Sequence, residues 1–189
     1  MGALINLIVE FDHQDSDLYE QYLHLRYKIF YSEFNWHSLN VDVLNQITLS
    51  ENTDEQAIFF GYLVNGNLIA IVRLVSSTKA VPYQEIYENY IEQKKFPEKF
   101  VVINSLAVEK PFRGKRQYQL AKSDIGTIAD LLMEHVENYS IRHGMNAIVF
   151  TAGCNASSKF FDRHDYTRIS DCYTKPWAPT KLVDYLVKL

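Results

Sequence analysis

Two periods of apolar positions alternate along this chain. "INLIVEF", residues 5–11, is a short apolar run that predicts a first strand. From Ser16 to about Ser32, Leu18, Tyr22, Leu25, Ile29 and Phe30 recur at helical spacing, and Asp15 or Ser16 can cap the start. "IFFGYLVNGNLIAIVRLVSS", residues 58–77, holds two β-rich runs around Asn65-Gly66, a dipeptide that accepts the positive φ angles of a tight hairpin. A short helix is expected around 83–94. "KFVVINSLAV", residues 99–108, is almost continuously apolar, as in a strand buried on both faces. A helix then carries Ile128, Leu131, Leu132, His135, Val136 and Tyr139 and stops near Gly144. "MNAIVFTAG" reads as another buried strand, "NASSKFFDRH" as a short helix and "YTRISDCYT" as a strand.

The order helix, antiparallel hairpin, strand, helix, strand, helix, strand predicts an α+β fold with a strand–helix–strand unit at its centre. At 189 residues the chain is expected to form a single domain over 1–189, without repeats, low-complexity tracts or a linker. Its 47% hydrophobic and 22% charged residues are ordinary for a soluble globular protein. No apolar run approaches about 18 residues, and the start lacks the pattern of a signal peptide, so a cytoplasmic location without stable membrane insertion is expected.

The formal charge of -4 argues against a general nucleic-acid binder. Between residues 109 and 122, however, lie Lys110, Arg113, Lys115, Arg116 and Lys122, with Glu109 the only acid. Such an island suggests a local anionic ligand, although a solvated charge run is the plain alternative. Cys154 and Cys172 are the only cysteines, outside any C-x-x-C pair, which gives little support to a disulfide scaffold or a zinc site. His135 reads as a core histidine, and the other five histidines show no metal-ligand spacing. No metal is expected.

The order strand, "PFRGK", "IGTIADLL", strand, then Asn-x-x-Ser-x-x-Phe resembles the GCN5-related N-acetyltransferase (GNAT) superfamily over roughly residues 57–170. The resemblance implies a three-layer, α/β/α-like fold with a mixed, centrally splayed sheet flanked by helices. It also implies a turn after the central strand whose backbone N–H groups hold the pyrophosphate of coenzyme A, since a helix N-terminus offers unpaired donors to an anion. On this chain Arg113, Gly114 and Lys115 match the first half of that turn, and Gly126 with Thr127 the second. Residues 116–124 then read as an insertion. Alternatively one helix starts near Gln117 and leaves "PFRGKR" as the whole loop, with Gly126 inside the helix at a cost of about 1 kcal/mol relative to Ala. Both readings put Arg113, Gly114 and Lys115 beside phosphate. Asn155 matches the residue that contacts the pantetheine side of the donor, and a helix cap is its structural alternative. Phe161 falls where a Tyr often protonates the departing thiolate, which a phenylalanine cannot do.

Arg26, Phe30 and Trp36 in "LRYKIFYSEFNW", with Arg73 in "VRLVSS", resemble the acyl-homoserine-lactone synthase and N-acyl amino acid synthase branch. The resemblance makes them, with Phe161, candidate substrate-binding residues. Core packing competes for the aromatics and an ion pair for Arg26. The acidic run of the lactone synthases is matched only by Glu51 and Asp54, and Val102 and Ser105 stand where those enzymes carry an acid and an Arg. Lactone production is therefore not expected.

The expectation is an N-acyltransferase moving an acyl group, medium or long, from acyl-CoA or acyl carrier protein to an amine of an amino acid or peptide. The co-substrate would be a coenzyme A thioester or another acyl-pantetheine. The splayed strand would supply the Leu106 or Val108 N–H, and Asn104 and Ser105 would position the amine or a water. Glu51 and Asp54 are weaker base candidates, and Cys154 is read as a small strand-end residue rather than a nucleophile. An acetyl-CoA-dependent acetyltransferase and a catalytically silent CoA- or partner-binding module remain as alternatives.

Overall fold

A computed structural model describes residues 6–78, 87, 97–114, 126–154, 156–164 and 166–189. Among them, seven strands form one mixed sheet in the order β1-β4-β5-β6-β7-β9-β8, and β2 and β3 form a separate hairpin. The strands are β1 (Asn6–Phe11), β2 (Val41–Asp42), β3 (Ile47–Thr48), β4 (Ala57–Val64), β5 (Asn67–Ser76), β6 (Phe100–Val108), β7 (Ala147–Gly153), β8 (Thr167–Arg168) and β9 (Leu182–Lys188). The helices are α1 (Ser16–Arg26), α2 (Ile128–Arg142) and α3 (Ala156–Asp162). Two compact units divide the chain, residues 1–73 with 105–136 and residues 74–104 with 137–189.

In the first unit β1 pairs antiparallel with β4, from Asn6↔Val64 to Phe11↔Phe59. The hairpin between β4 and β5 turns on Asn65 (φ 51°) and Gly66 (φ 81°), as the sequence predicts. Gly61 on β4 has a packing reason: a Cβ there would meet Leu68 Cδ1 at 2.5 Å. Asp15 caps α1 by accepting from the Leu18 N–H at 3.3 Å. The helix does not continue as α to Ser32. From Tyr27 to Glu33 it is a π-helix, and the Phe34 N–H donates to the Ile29 carbonyl at 3.0 Å, five residues back. Buried Tyr22, Leu25 and Ile29 seat this helix, with the Tyr22 ring 4.7 Å from that of Phe59.

In the second unit β6 and β7 run parallel through four pairs, Phe100↔Ala147 to Ile103↔Phe150. Their shared apolar face builds a core of Tyr87, Phe100, Val102, Ala147, Val149 and Leu186, against which Ile169, Tyr173 and Trp177 pack. On the other face of β7, Phe150 packs against Phe161, Tyr166 and Tyr185. The C-terminal strand β9 is absent from the sequence reading, yet it pairs with all of β7, from Ala147↔Lys188 to Gly153↔Leu182. The strand expected over 166–174 shrinks to Thr167–Arg168, with Tyr173 bridged to Leu182. Of the helix expected around 83–94, only Tyr87 is described, and it is helical.

The cysteines correct the sequence reading. Cys154 and Cys172 form a disulfide, 18 residues apart. Cys154 therefore offers no free thiol. Among the described residues no helix is long and apolar enough to cross a membrane.

Candidate active site

The first unit brings both branch-matching arginines into one buried ionic cluster. Arg26, the last residue of α1, is 4% exposed and pairs with Glu51. Arg73 on β5 is 0% exposed; its Nη2 lies 2.7 Å from Asp54 Oδ1 and 3.6 Å from Glu51 Oε2, and donates to Thr53 Oγ1 at 2.5 Å. The turn that carries the acids is folded around Asp54, whose Oδ2 accepts from the Glu51 N–H at 2.8 Å and from the Tyr19 hydroxyl at 2.6 Å. Two arginines thus meet two carboxylates, so the buried charges balance locally. Among the described residues the cluster is not fully satisfied: Arg73 Nε and Nη1 and the Tyr22 hydroxyl are buried without a hydrogen-bond partner. Glu51 and Asp54 are ion-pair partners here rather than solvated loop acids. Tyr19 and Thr53 carry no site signal in the sequence, and Tyr22 reads there only as an apolar helix position, although Tyr22 and Arg26 share a helix face at i, i+4.

These tyrosines make alkaline stability informative. Burial, then the hydrogen bond to Asp54, raises the Tyr19 hydroxyl, and burial raises Tyr22. Tyr173, in the second unit, is raised by burial and by its bond to Asp184. Each keeps its proton more tightly when folded, so their contribution is complete below about pH 10, the unfolded value, and is lost as pH rises beyond it. A urea titration should show stability falling increasingly steeply above about pH 10, with these tyrosinates absorbing near 295 nm only on unfolding. Early tyrosinate absorbance from the folded Y19F/Y173F-sensitive fraction would contradict this.

The π-helix and its exit carry the aromatic candidates. Phe30 lies edge-on to Phe34 at 6.2 Å and to Trp36 at 6.1 Å, and the Trp36 N–H donates to the Phe30 carbonyl at 2.9 Å. Phe30 and Trp36 are half-buried, and Phe34 is exposed. Arg113 adjoins this group: its guanidinium sits 5.2 Å from the Phe34 ring centroid and pairs through both terminal nitrogens with Glu33, Nη2 to Oε2 at 2.9 Å. Its Nε–H donates to the Val108 carbonyl. Gly114 follows in the left-handed region (φ 67°), with no atom of the described residues within 4 Å of where a Cβ would project. Glu33, the counter-ion of a candidate phosphate ligand, has no signal in the sequence beyond its place one turn along the helix.

The other loop residues separate into those the structure describes and those it does not. Lys115 and the insertion up to residue 124 lie outside the described residues, as does Asn155. Gly126 and Thr127 are buried, and α2 begins directly after them. Thr127 caps that helix in a reciprocal box: its N–H donates to Asp130 Oδ2, and the Asp130 N–H donates to Thr127 Oγ1 at 3.3 Å. A carboxylate thus already occupies a donor assigned to phosphate.

On β6 the ladder to β7 ends at Ile103, while the strand itself continues to Val108. Asn104, Ser105, Leu106 and Val108 lie on that continuation. By strand alternation Asn104 shares the face of Phe100 and Val102, whereas Ser105 and Ala107 take the other. Among the described residues Asn104 Oδ1 is buried with no hydrogen-bond partner, and Ser105 is buried. Phe161 on α3 is 6% exposed, with its ring 4.3 Å from that of Phe150 and 5.5 Å from that of Tyr185. It is a core side chain, and this packing explains a phenylalanine there without any role at a thiolate.

A mixed sheet whose central parallel ladder stops part-way along its strands decides the fold. The chain has the GNAT fold. Among solved structures it is similar to BjaI, a CoA-dependent acyl-homoserine lactone synthase with SAM and isopentyl-CoA, at a TM-score of 0.74 and 16% identity over 97% of this chain and 83% of that one. FeeM, an N-acyl amino acid synthase from uncultured soil microbes, matches at a TM-score of 0.69 and 11% identity, over 98% and 90%. An acyl-CoA N-acyltransferase from Pseudomonas aeruginosa matches at 0.64 and 14%, over 97% and 99%. No protein-family model and no curated sequence matches the chain. The similarity is carried by the GNAT fold rather than by residue identity.

Proposed function

We propose that this GNAT-fold chain is an N-acyltransferase that moves an acyl group from a coenzyme A thioester to the amine of an amino acid or peptide. The observation that carries the reading is Asn104 Oδ1, a buried acceptor without a donor among the described residues, on the strand segment where the β6–β7 ladder has ended. A buried polar atom costs free energy until it is paired, and an incoming amine N–H is a fitting partner. In the proposed reaction the neutral amine attacks the thioester carbonyl while Asn104 fixes its direction. A backbone N–H of Leu106 or Val108 stabilises the oxyanion, and the thiolate leaves with the proton lost by the amine. Phe30 and Trp36 frame the acceptor side in this reading, and the ionic cluster of Arg26 and Arg73 holds α1 and β5 in register. Arg113, Gly114 and Lys115 take the donor phosphates, assisted by Gly126, Thr127 and Asn155. An acyl carrier protein would present the same pantetheine arm.

The acyl chain in this proposal is medium or long. Each additional buried methylene offers about 0.8 kcal/mol, roughly a fourfold gain in kcat/KM. Thiol release should therefore rise from acetyl-CoA to octanoyl-CoA and beyond with an amino-acid mixture as acceptor, and intact-mass analysis should show the amide. A preference for acetyl-CoA over every longer donor would make the protein an ordinary acetyltransferase.

A second reading, a catalytically silent module, is favoured by the carboxylates at the phosphate candidates, Glu33 on Arg113 and Asp130 on Thr127. Their effect is testable. Glu33→Gln should free Arg113 and tighten coenzyme A binding several-fold, whereas Arg113→Glu with Lys115→Glu should weaken it in a salt-sensitive manner. Coenzyme A affinity that responds to neither change, in folded protein, would remove the phosphate site. Thiol release from no donor would establish the silent module.

A further inference from the structure

The disulfide ties a strand end to a long connection. Cys154 directly follows β7, and its N–H donates to the Lys181 carbonyl at 2.8 Å. Cys172 lies exposed in the connection between β8 and β9. That connection carries Tyr173 and Trp177, which cover the apolar core of Tyr87, Val102 and Val149. Besides the disulfide, its contacts include the Ile169 N–H on the Asp184 carbonyl and the Asp184 N–H on Ser170 Oγ, both at 2.9 Å, the two backbone hydrogen bonds between Tyr173 and Leu182, at 2.9 and 2.7 Å, and the Tyr173 hydroxyl on Asp184 at 2.7 Å. Residues 174–181 contain no strand or helix. The disulfide is the covalent tie among these contacts, and it joins the connection to the end of β7.

The disulfide also has a cation beside one sulfur. Arg168 Nη2 lies 3.2 Å from Cys172 Sγ, and its Nε–H is anchored on the Ser170 carbonyl at 3.0 Å. A guanidinium at that distance favours the thiolate over the thiol, which makes Cys172 the better leaving group in exchange and the better nucleophile in re-oxidation. Packing alone gives no reason for a charge oriented onto an exposed sulfur.

We infer that Cys154–Cys172 is a reversible thiol–disulfide exchange site for a dithiol reductant, and that its state sets how firmly residues 169–181 cover the core. One thiolate of the dithiol attacks Cys154 Sγ, the Cys154–Cys172 bond breaks, and the electron pair leaves on Cys172 beside Arg168. The second thiolate of the dithiol then attacks its own sulfur in the mixed disulfide and releases Cys154 as thiolate. Two electrons pass to the protein, both thiolates take up the protons lost by the dithiol, and the dithiol closes to its cyclic disulfide. The inference is independent of any acyl transfer.

The test uses the full chain purified without reductant. Iodoacetamide should label neither cysteine before, and both after, brief treatment with dithiothreitol under folded conditions, read by intact mass. Arg168→Gln should slow that reduction about threefold at neutral pH. In the reduced protein, amide hydrogen exchange across 169–181 should accelerate about tenfold while β1 and β4 stay unchanged. Cys172→Ser should reproduce the reduced pattern without reductant; if it fails to fold, the reduced native chain supplies the same readout. Resistance to dithiothreitol until denaturant is added would overturn the proposal. So would unchanged exchange in 169–181, reduction at the same rate in Arg168→Gln, or free thiols that oxidised glutathione does not close.

Discussion

Replacing Arg73 with Met is expected to destabilise the protein by about 3–5 kcal/mol, the scale for removing one partner of a buried ion pair. Arg73 is fully buried, and Asp54 beside it is 1% exposed, so the carboxylate would lose its nearest guanidinium without gaining water. Glu51 would still have Arg26, but Asp54 would keep only the Tyr19 hydroxyl and the Glu51 N–H. A matched control is Arg113→Met. Its partner Glu33 and Arg113 itself are each about one-third exposed, and an exposed pair is worth about 0–1 kcal/mol. Combining Arg73→Met with Asp54→Leu should recover much of the loss, because an apolar pair replaces two buried charges. Urea midpoints for the three variants decide the matter. A loss below about 1 kcal/mol for Arg73→Met would show that the cluster opens to solvent and contributes little.

The contrast between those two arginines marks what could be read from sequence. The β4–β5 hairpin is legible because Asn65-Gly66 constrains its own backbone, and β6 because an almost continuous apolar run has few alternatives to a buried strand. These signals are local. The partners of Arg26 and Arg73 are not: Arg26 meets Glu51 across 25 positions, and Arg73 meets Thr53 across 20. Resemblance singles out both arginines as candidates but does not distinguish a buried ion network from an exposed substrate clamp. The disulfide was illegible for the same reason, since only the return of β9 along β7 brings the connection before it to Cys154. That strand was itself missed because Asp184 interrupts its apolar run, and the structure answers with the Tyr173 and Thr151 hydroxyls on the Asp184 carboxylate. The π-helix lay beyond pattern reading too, because Leu25, Ile29 and Phe30 suit an α-helix equally well.

Asn104 gives the sharpest separation of function from architecture, because its replacement by Leu should move activity and stability in opposite directions. Leu has nearly the branched shape of Asn, so the change removes an acceptor while adding little volume. In the folded protein Oδ1 is buried without a partner among the described residues, and its loss should relieve a desolvation cost of about 1–3 kcal/mol. The variant should therefore melt at a higher temperature than the parent. If Oδ1 instead holds the attacking amine, the same change deletes a hydrogen bond made when substrate arrives. Turnover should fall about 100-fold, equivalent to about 2.7 kcal/mol of lost transition-state stabilisation. The donor KM should change little, since Asn104 lies on the core face of β6 and apart from the Arg113–Gly114 turn in sequence. Asn104→Asp provides a second readout, because a carboxylate could still accept from the amine and would carry its own charge into the pH profile. The two signs together are diagnostic. A residue kept for packing would lose stability and leave turnover alone, whereas a residue kept unsatisfied for its substrate must do the reverse.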